Sequence, residues 1–382
     1  MQRIGDLERR YVNEVLDGQF RTSSAGKWVR KFEDAFAAKH GAKYGIALTN
    51  GTATLHTALA AAGVGMGDEV IVPPLTMAAT AFAVLHCGAT PVFADIDPDT
   101  WCIDPASICS RITPRTKAII PVHIFGMPCD MDAIMDIAVK HNLFVLEDAA
   151  QAVGATYKGK LVGTIGHAGS FSFQSSKHLT AGEGGILLTN DEALATKMRK
   201  FSGLGYASLG AGQNRITKDD IQKPDAIRHD SVGYNYRPTD LACAVLLAQT
   251  ERIDELCPMR LASDCWFLTG NNCDWLVGQR WDDKSDGACW TYAVRLSANA
   301  PCTWQQFRDK FLELGGDPYY SAWRLNYQEP AFRDMGYQQT GLCPVAESIQ
   351  PRLMCFKTNY FDIAEAKKQA KILAATIRHF ER

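Results

Sequence analysis

Over roughly the first 200 residues, short apolar runs alternate with amphipathic stretches. "YGIALTNG" predicts a strand, and "TATLHTALAAAGV" behind it a helix. "DEVIVPP" predicts a strand and "MAATAFAVLHCGA" a helix; "TPVFADI" is again a strand. "KAIIPVHIFG" predicts a strand ahead of the helix "MDAIMDIAVKHN", and "LFVLEDAA", "GSFSFQ" and "GGILLTN" predict three more strands. This β–α alternation predicts an α/β domain with a mostly parallel central sheet covered by helices. The strands are nearly continuous in apolar residues, as strands buried on both faces are. Ligands of such sheets sit at the carboxyl ends of the strands. That directs attention to the loops at Thr49–Thr52, Pro73–Met77, Asp148–Gln151 and Gln174–Lys177.

The texture changes after "NYRPTDLACAVLLAQTERIDELCPMRLASDCWFL", which predicts one long helical stretch with Leu241, Val245, Ala248 and Ile253 at roughly helical spacing. Beyond it lie an alternating piece, "CWTYAVRLS", and a closing helix, "DIAEAKKQAKILAATIRHFER". The expected division is a large domain over residues 1–250 and a smaller C-terminal α+β domain over 251–382.

Composition narrows the function classes. The chain has 382 residues, 46% hydrophobic and 21% charged, and so can bury a sizeable core. A formal net charge of -2 without a basic cluster argues against nucleic acid as a partner. The first twenty residues are amphipathic with both charge signs and do not resemble a signal peptide, and the apolar patches are too short to span a bilayer. A cytoplasmic protein without membrane partners is expected. The 12 cysteines are scattered with no CxxC pair, so reduced, buried thiols are expected rather than disulfides or zinc, and no metal site is foreseen.

Three loops carry candidate chemistry. In "FVLEDAAQ", Asp148 ends an apolar run, where a carboxylate costs desolvation unless a cation meets it; it also suits a helix N-cap. In "TNGTATLHTAL", Gly51 and Thr52 stand between strand and helix. Glycine allows close backbone approach and a helix N-terminus offers free N–H groups, so the pair suits an anion or a plain capped turn. In "GSFSFQSSKHLTAGEGG", Lys177 follows a buried-looking strand and precedes a glycine-rich loop, with Ser172 and Ser175 as nearby hydroxyls. A desolvated lysine loses proton affinity, and its neutral amine bonds aldehydes. An anion cradle, an acid and an amine are together what pyridoxal 5'-phosphate requires.

The motifs "LEDAAQAVGA" and "SFSFQSSKHLTAGEGG", with "KWVRKFEDAFAAKHGAKYGIALTNGTATLHTAL" and "YNYRPTDLACAVL", resemble the DegT/DnrJ/EryC1/StrS sugar aminotransferases, pyridoxal-phosphate enzymes of fold type I. The resemblance covers most of the chain and implies roles by position. Lys177 matches the Schiff-base lysine and Asp148 the partner of the pyridinium nitrogen. Gln151 matches the residue beside the ring, and Gly51, Thr52 and Ser172 match phosphate ligands. Asn235 matches an asparagine that reaches the phosphate of a neighbouring subunit, implying a homodimer with shared active sites. Met77 stands where relatives often carry a ring-stacking aromatic; a thioether also packs on a ring face.

The implied reaction moves an amino group from glutamate or glutamine to a keto or aldehydo sugar, in amino-sugar biosynthesis for cell-surface polysaccharide, lipopolysaccharide or secondary metabolites. The acceptor is either nucleotide-linked, a sugar acid such as an octulosonate, or a cyclitol ketone. In "GGDPYYSAWRLNYQEPAF", Tyr319, Tyr320, Trp323 and Arg324 are candidate sugar contacts, or simply packing. The alternative class is a non-catalytic pyridoxal-phosphate-binding sensor or scaffold; the presence of Lys177 favours the enzyme.

Overall fold

The computed structural model describes residues 2–20, 26–213, 216–217, 221–281, 283–338 and 340–381. The strands of the first half are β1 (Tyr44–Leu48), β2 (Glu69–Val72), β3 (Thr90–Phe93), β4 (Thr116–Ile119), β5 (Phe144–Asp148), β6 (Thr156–Tyr157), β7 (Lys160–Leu161), β8 (Ala168–Ser172) and β9 (Gly185–Thr189). Those of the second half are β10 (Leu276–Gly278), β11 (Ser285–Asp286), β12 (Thr291–Leu296), β13 (Tyr320–Ser321) and β14 (Leu353–Lys357).

The central sheet has seven strands in the order β1-β9-β8-β5-β4-β2-β3. The run from β8 to β3 is parallel throughout. Only β9 is reversed, antiparallel to both β1 and β8. β2, β8 and β9 are buried along their whole length, which accounts for their unbroken apolar sequences. Because the other strands share one direction, the loops after β1, β2, β5 and β8 emerge on the same edge.

The helix after β1 starts where the sequence supplies a cap. Asn50 Oδ1 accepts from the N–H of Ala53 at 2.8 Å and opens the helix Gly51–Ala61. Thr239 opens Asp240–Glu251 in the same way. The single long helix expected after residue 239 is two, Asp240–Glu251 and Ile253–Gly270, separated at Arg252. That residue's guanidinium is held by Glu8 and Glu255 and by the carbonyl of Gln2, so the side chain is tied to the N-terminal segment where the helix breaks.

A second sheet, β10-β12-β14-β13, carries its own apolar core with Phe267, Tyr292, Phe307, Phe311 and Phe356. A clean cut at residue 250 does not describe the packing. Leu325, Tyr327, Phe332, Ala346 and Ile349 return to the core of the large sheet. The reason is polar as well as apolar: the Asp95 carboxylate accepts the N–H groups of Val345 and Ala346, at 2.8 and 2.9 Å, and caps the helix Pro344–Ile349 from the large sheet's edge. All 12 cysteines are free; six are buried, but Cys109 and Cys265 are exposed, contrary to the expectation of uniform burial. No helix among the described residues is long and apolar enough to cross a membrane.

Candidate active site

A cavity of about 1310 Å³ opens at the carboxyl edge of the sheet. Gly51, Thr52, Met77, Asp148, Gln151, Ser172 and Lys177 line it, so seven of the eight positions expected to meet a cofactor meet in one space.

The anion cradle lies where the helix Gly51–Ala61 begins. Asn50 satisfies Ala53, which leaves the N–H groups of Gly51 and Thr52 at the cavity end of the helix. Glycine is required at position 51 by space: a Cβ there would stand 2.8 Å from Ser172 Cβ. That close approach brings the Ser172 hydroxyl beside the helix terminus, where free backbone N–H groups and the helix dipole favour an anion.

Asp148 is buried at the end of β5. Its Oδ2 accepts from the Thr80 hydroxyl at 2.9 Å and its Oδ1 from the Ala150 N–H at 3.2 Å. Burial pushes its carboxyl above the usual aspartate range, opposed by those two hydrogen bonds and by the charges of Lys177 and His123. A carboxylate so placed needs a cation. The cap reading is met only in part, since one oxygen serves the backbone and the other serves Thr80.

Lys177 directs its amine over the ring of Trp290, 4.8 Å from the centroid. Its proton affinity is lowered to about 8, chiefly by burial, with Asp148 opposing and Arg260 adding to the fall. Near neutrality a usable fraction of the amine is therefore neutral and nucleophilic.

Gln151 is buried, and its Oε1 accepts from the Phe125 N–H at 2.8 Å, which turns its amide NH₂ away from that contact. Phe125 sits at a φ of 58°, and Gly126 after it admits the chain at Cys289, where a Cβ would lie 2.7 Å from that residue's nitrogen. Trp290 N donates to the Phe125 carbonyl at 3.0 Å, so this tight junction sets the tryptophan beside Lys177. Met77 is exposed at the cavity's rim.

The sugar-contact candidates separate. Tyr320 and Trp323 line the cavity. Trp323 stacks nearly parallel to both Phe125 and Trp290, at 5.9 Å each, so much of its ring surface is committed to protein. Tyr319 is not a sugar contact: it is buried in the second core against Trp304, Phe311 and Phe356. Tyr319 directly precedes β13 and Tyr320 begins it, and neighbouring side chains of an extended chain point to opposite faces. Arg324 is exposed and stands outside the cavity lining. Asn235 is also exposed and outside its own chain's cavity, in a bridge with Gly203.

Sequence reading missed Thr80, Arg260 and Trp290. Thr80 sits among small residues in "MAATAF", and Arg260 lies in a helical stretch where an arginine reads as surface. Trp290 begins an alternating strand and reads as core.

A desolvated lysine and a buried aspartate at the carboxyl edge of such a sheet, with an anion cradle between helix and strand, define a pyridoxal-phosphate enzyme of fold type I. The residues present fit the cofactor: cradle for phosphate, carboxylate for a ring cation, amine for an aldehyde. The chain belongs to the DegT/DnrJ/EryC1/StrS aminotransferase family, which it matches over residues 2–372. It is 48% identical over 265 residues to a GDP-perosamine synthase of Caulobacter vibrioides, covering 69% of this chain and 67% of that one. It is 47% identical over 253 residues to the spore coat polysaccharide biosynthesis protein SpsC of Bacillus subtilis, covering 66% of this chain and 63% of the relative. The matched stretches span between 53% and 67% of the lengths of such curated relatives. Among solved structures, an aminotransferase from Psychrobacter cryohalolentis superposes with a TM-score of 0.91 at 33% identity, covering 99% of this chain and 98% of that one. A 3-amino-5-hydroxybenzoic acid synthase superposes with a TM-score of 0.87 at 30% identity, covering 98% and 97%.

Proposed function

We propose that this chain transfers an amino group from glutamate or glutamine to a nucleotide-linked keto sugar, for the amino sugars of a surface polysaccharide. The observation that carries the reading is the meeting of Lys177, Asp148 and the Gly51–Thr52–Ser172 cradle in one cavity. The GDP-perosamine synthases, at 48% and 44% identity, favour a GDP-linked acceptor.

When bound, pyridoxal phosphate supplies an electron sink for the carbon that loses or gains a proton. The N–H groups of Gly51 and Thr52 and the Ser172 hydroxyl would bind its phosphate. Asp148, as a carboxylate, would hold a proton on the ring nitrogen. Lys177 would anchor it covalently and, once its amine is free, move the proton at the donor's α-carbon as general base and acid. Gln151, oriented by the Phe125 N–H, would keep its place beside the ring. Phe125, Trp323 and Trp290 stack in series, and the amine lies over the Trp290 ring at the end of that series. Asn235, exposed and outside its own chain's cavity lining, suits a partner subunit's phosphate in a homodimer.

The test follows the cofactor's visible absorbance. Glutamate or glutamine should bleach it in the loaded enzyme, and a GDP-linked keto sugar should restore it. Bleaching without recovery by any nucleotide sugar would move the acceptor elsewhere. A second reading, a cyclitol ketone, draws on a 44% identical protein named as a putative L-glutamine:3-amino-2,3-dideoxy-scyllo-inosose aminotransferase, of which the match covers 57%. No bleaching by any donor would favour a silent sensor or scaffold.

A further inference from the structure

The backbone that carries Lys177 is held by two cations from distant parts of the sequence. Arg3 Nη1 donates to the Ser175 carbonyl at 2.5 Å, and its Nη2 donates to the Lys177 carbonyl. Arg260 Nη2 donates to the carbonyls of Ser176 and Lys177, at 2.6 and 2.8 Å. Trp290 Nε1 adds a bond to Ser176 O at 2.9 Å. Each arginine is itself anchored. The Arg3 carbonyl accepts from Gln249 Nε2 at 2.8 Å and Arg252 Nη1 at 3.3 Å. Arg260 Nη1 reaches the Trp290 carbonyl at 2.7 Å and the Thr358 hydroxyl at 3.4 Å.

This arrangement is costly for a simple backbone anchor. Arg260 is 3% exposed, and its hydrogen bonds go to neutral oxygens rather than to a carboxylate. Burial, and then the neighbouring charge of Arg3, lowers its proton affinity to about 9. A neutral donor would hold a carbonyl without that cost, as Trp290 does. What a guanidinium adds is a rigid fork, whose Nη2 holds the Ser176 and Lys177 carbonyls while its Nη1 ties them to the Trp290 carbonyl and the Thr358 hydroxyl, and a charge in the cavity that holds the amine.

We propose that Arg3 and Arg260 are positioning residues: they clamp residues 175–177 so that the Lys177 amine stays in the cavity, and the charge of Arg260, which lines the same cavity, disfavours a second cation on that amine. The proposal rests on the reading of Lys177 as the cofactor's nucleophile. The charged groups around the amine are few. Asp148 at the end of β5 favours its protonation and Arg260 opposes it. Glu183, Asp317, Lys357 and His86 line the same cavity. His178, next in the chain, is kept neutral by burial and faces the Ala288 carbonyl at 2.8 Å.

The experiment uses cofactor-free protein, so it does not depend on turnover. Trace acetylation with acetic anhydride across pH, read by mass spectrometry on the Lys177 peptide, gives the amine's midpoint; amide hydrogen exchange of residues 175–178 reads the clamp. Removing a nearby positive charge favours the protonated amine, so Arg260→Met should raise the midpoint by about half a unit or more and slow labelling near pH 7.5 about threefold. Arg260→Lys should restore the midpoint but exchange faster than wild type, because one ammonium cannot hold the Ser176 and Lys177 carbonyls and also the Trp290 carbonyl and Thr358 hydroxyl that Nη1 takes. Arg3→Met should also exchange faster. A folded Arg260→Met protein with unchanged midpoint and exchange overturns the proposal. If that variant does not fold, unchanged exchange in both Arg260→Lys and Arg3→Met overturns it. An ordinary lysine midpoint in the wild type would instead overturn the reading of Lys177 on which the proposal rests.

Discussion

Thr80 gives its hydroxyl hydrogen to Asp148 Oδ2 over 2.9 Å, from the start of a helix that begins just after the loop carrying Met77. The bond supports the ionised form of a carboxyl that burial pushes the other way. In Thr80→Val the shape is kept and the bond is lost. Asp148 should then bind a proton more readily, so the acid limb of the pH–rate profile should move to higher pH. Turnover at neutral pH should fall by roughly 10- to 150-fold, the scale of one hydrogen bond to a charged group. An unmoved acid limb would mean that Asp148's charge is set without Thr80.

Asp148→Asn removes the charge and keeps the size. Cofactor should remain bound through the cradle and Lys177, while the rate falls at least about 10²-fold, because an amide cannot hold a proton on a ring nitrogen. Steady-state rates beside cofactor content check this. Activity within a few-fold of wild type would reduce Asp148 to a turn residue serving Ala150.

The large sheet and its active edge were legible because local pattern and tertiary burial agree there. Parallel strands buried on both faces leave unbroken apolar runs, and the residues of the site directly follow those runs. What was not legible depends on distant pairing. The reversal of β9 leaves no mark in "GGILLTN", since a strand buried between two neighbours is apolar in either direction. Arg260 reads as a surface arginine until its bonds to the carbonyls of Ser176 and Lys177 are seen. Tyr319 and Tyr320 are adjacent and chemically alike, and only their packing around the second sheet sends one into the core and the other to the cavity.

The Lys177 amine is predicted to set two pH dependences. Capture of pyridoxal phosphate by the cofactor-free protein requires the neutral amine, so its rate should rise with pH through about 8. The same shift is a stability term. The folded protein gives up the lysine's proton near 8 and the unfolded chain near the ordinary 10.5. Below 8 the group is charged in both states and its burial opposes folding; the penalty disappears as pH rises through the window between the two values. Lys177→Met should therefore raise the unfolding temperature of the cofactor-free protein near pH 7, with the gain fading toward pH 10.5. Lys177→Ala should abolish turnover. A flat capture rate across pH 7 to 9 would show that amine ionisation does not limit capture.

The final prediction concerns assembly. Asn235 is exposed, beside Tyr234 and Tyr236, which stack on each other at 5.2 Å, and just ahead of the helix Asp240–Glu251. Its own chain's cavity is lined by Tyr236 but not by Asn235. An amide that serves a phosphate in a second chain would satisfy these facts, and would add a donor to a doubly charged group without burying another cation. The expected state is a homodimer with each site built from both chains. Complementation tests it. Lys177→Ala chains are mixed with Asn235→Ala chains under conditions that allow subunit exchange. In a mixed dimer with shared sites, one site carries both defects and the other carries neither, so activity should return up to one intact site per dimer. If Asn235 serves its own chain, every site in the mixture keeps one defect. No recovery, with exchange demonstrated and the Asn235→Ala protein defective alone, would assign Asn235 to its own subunit.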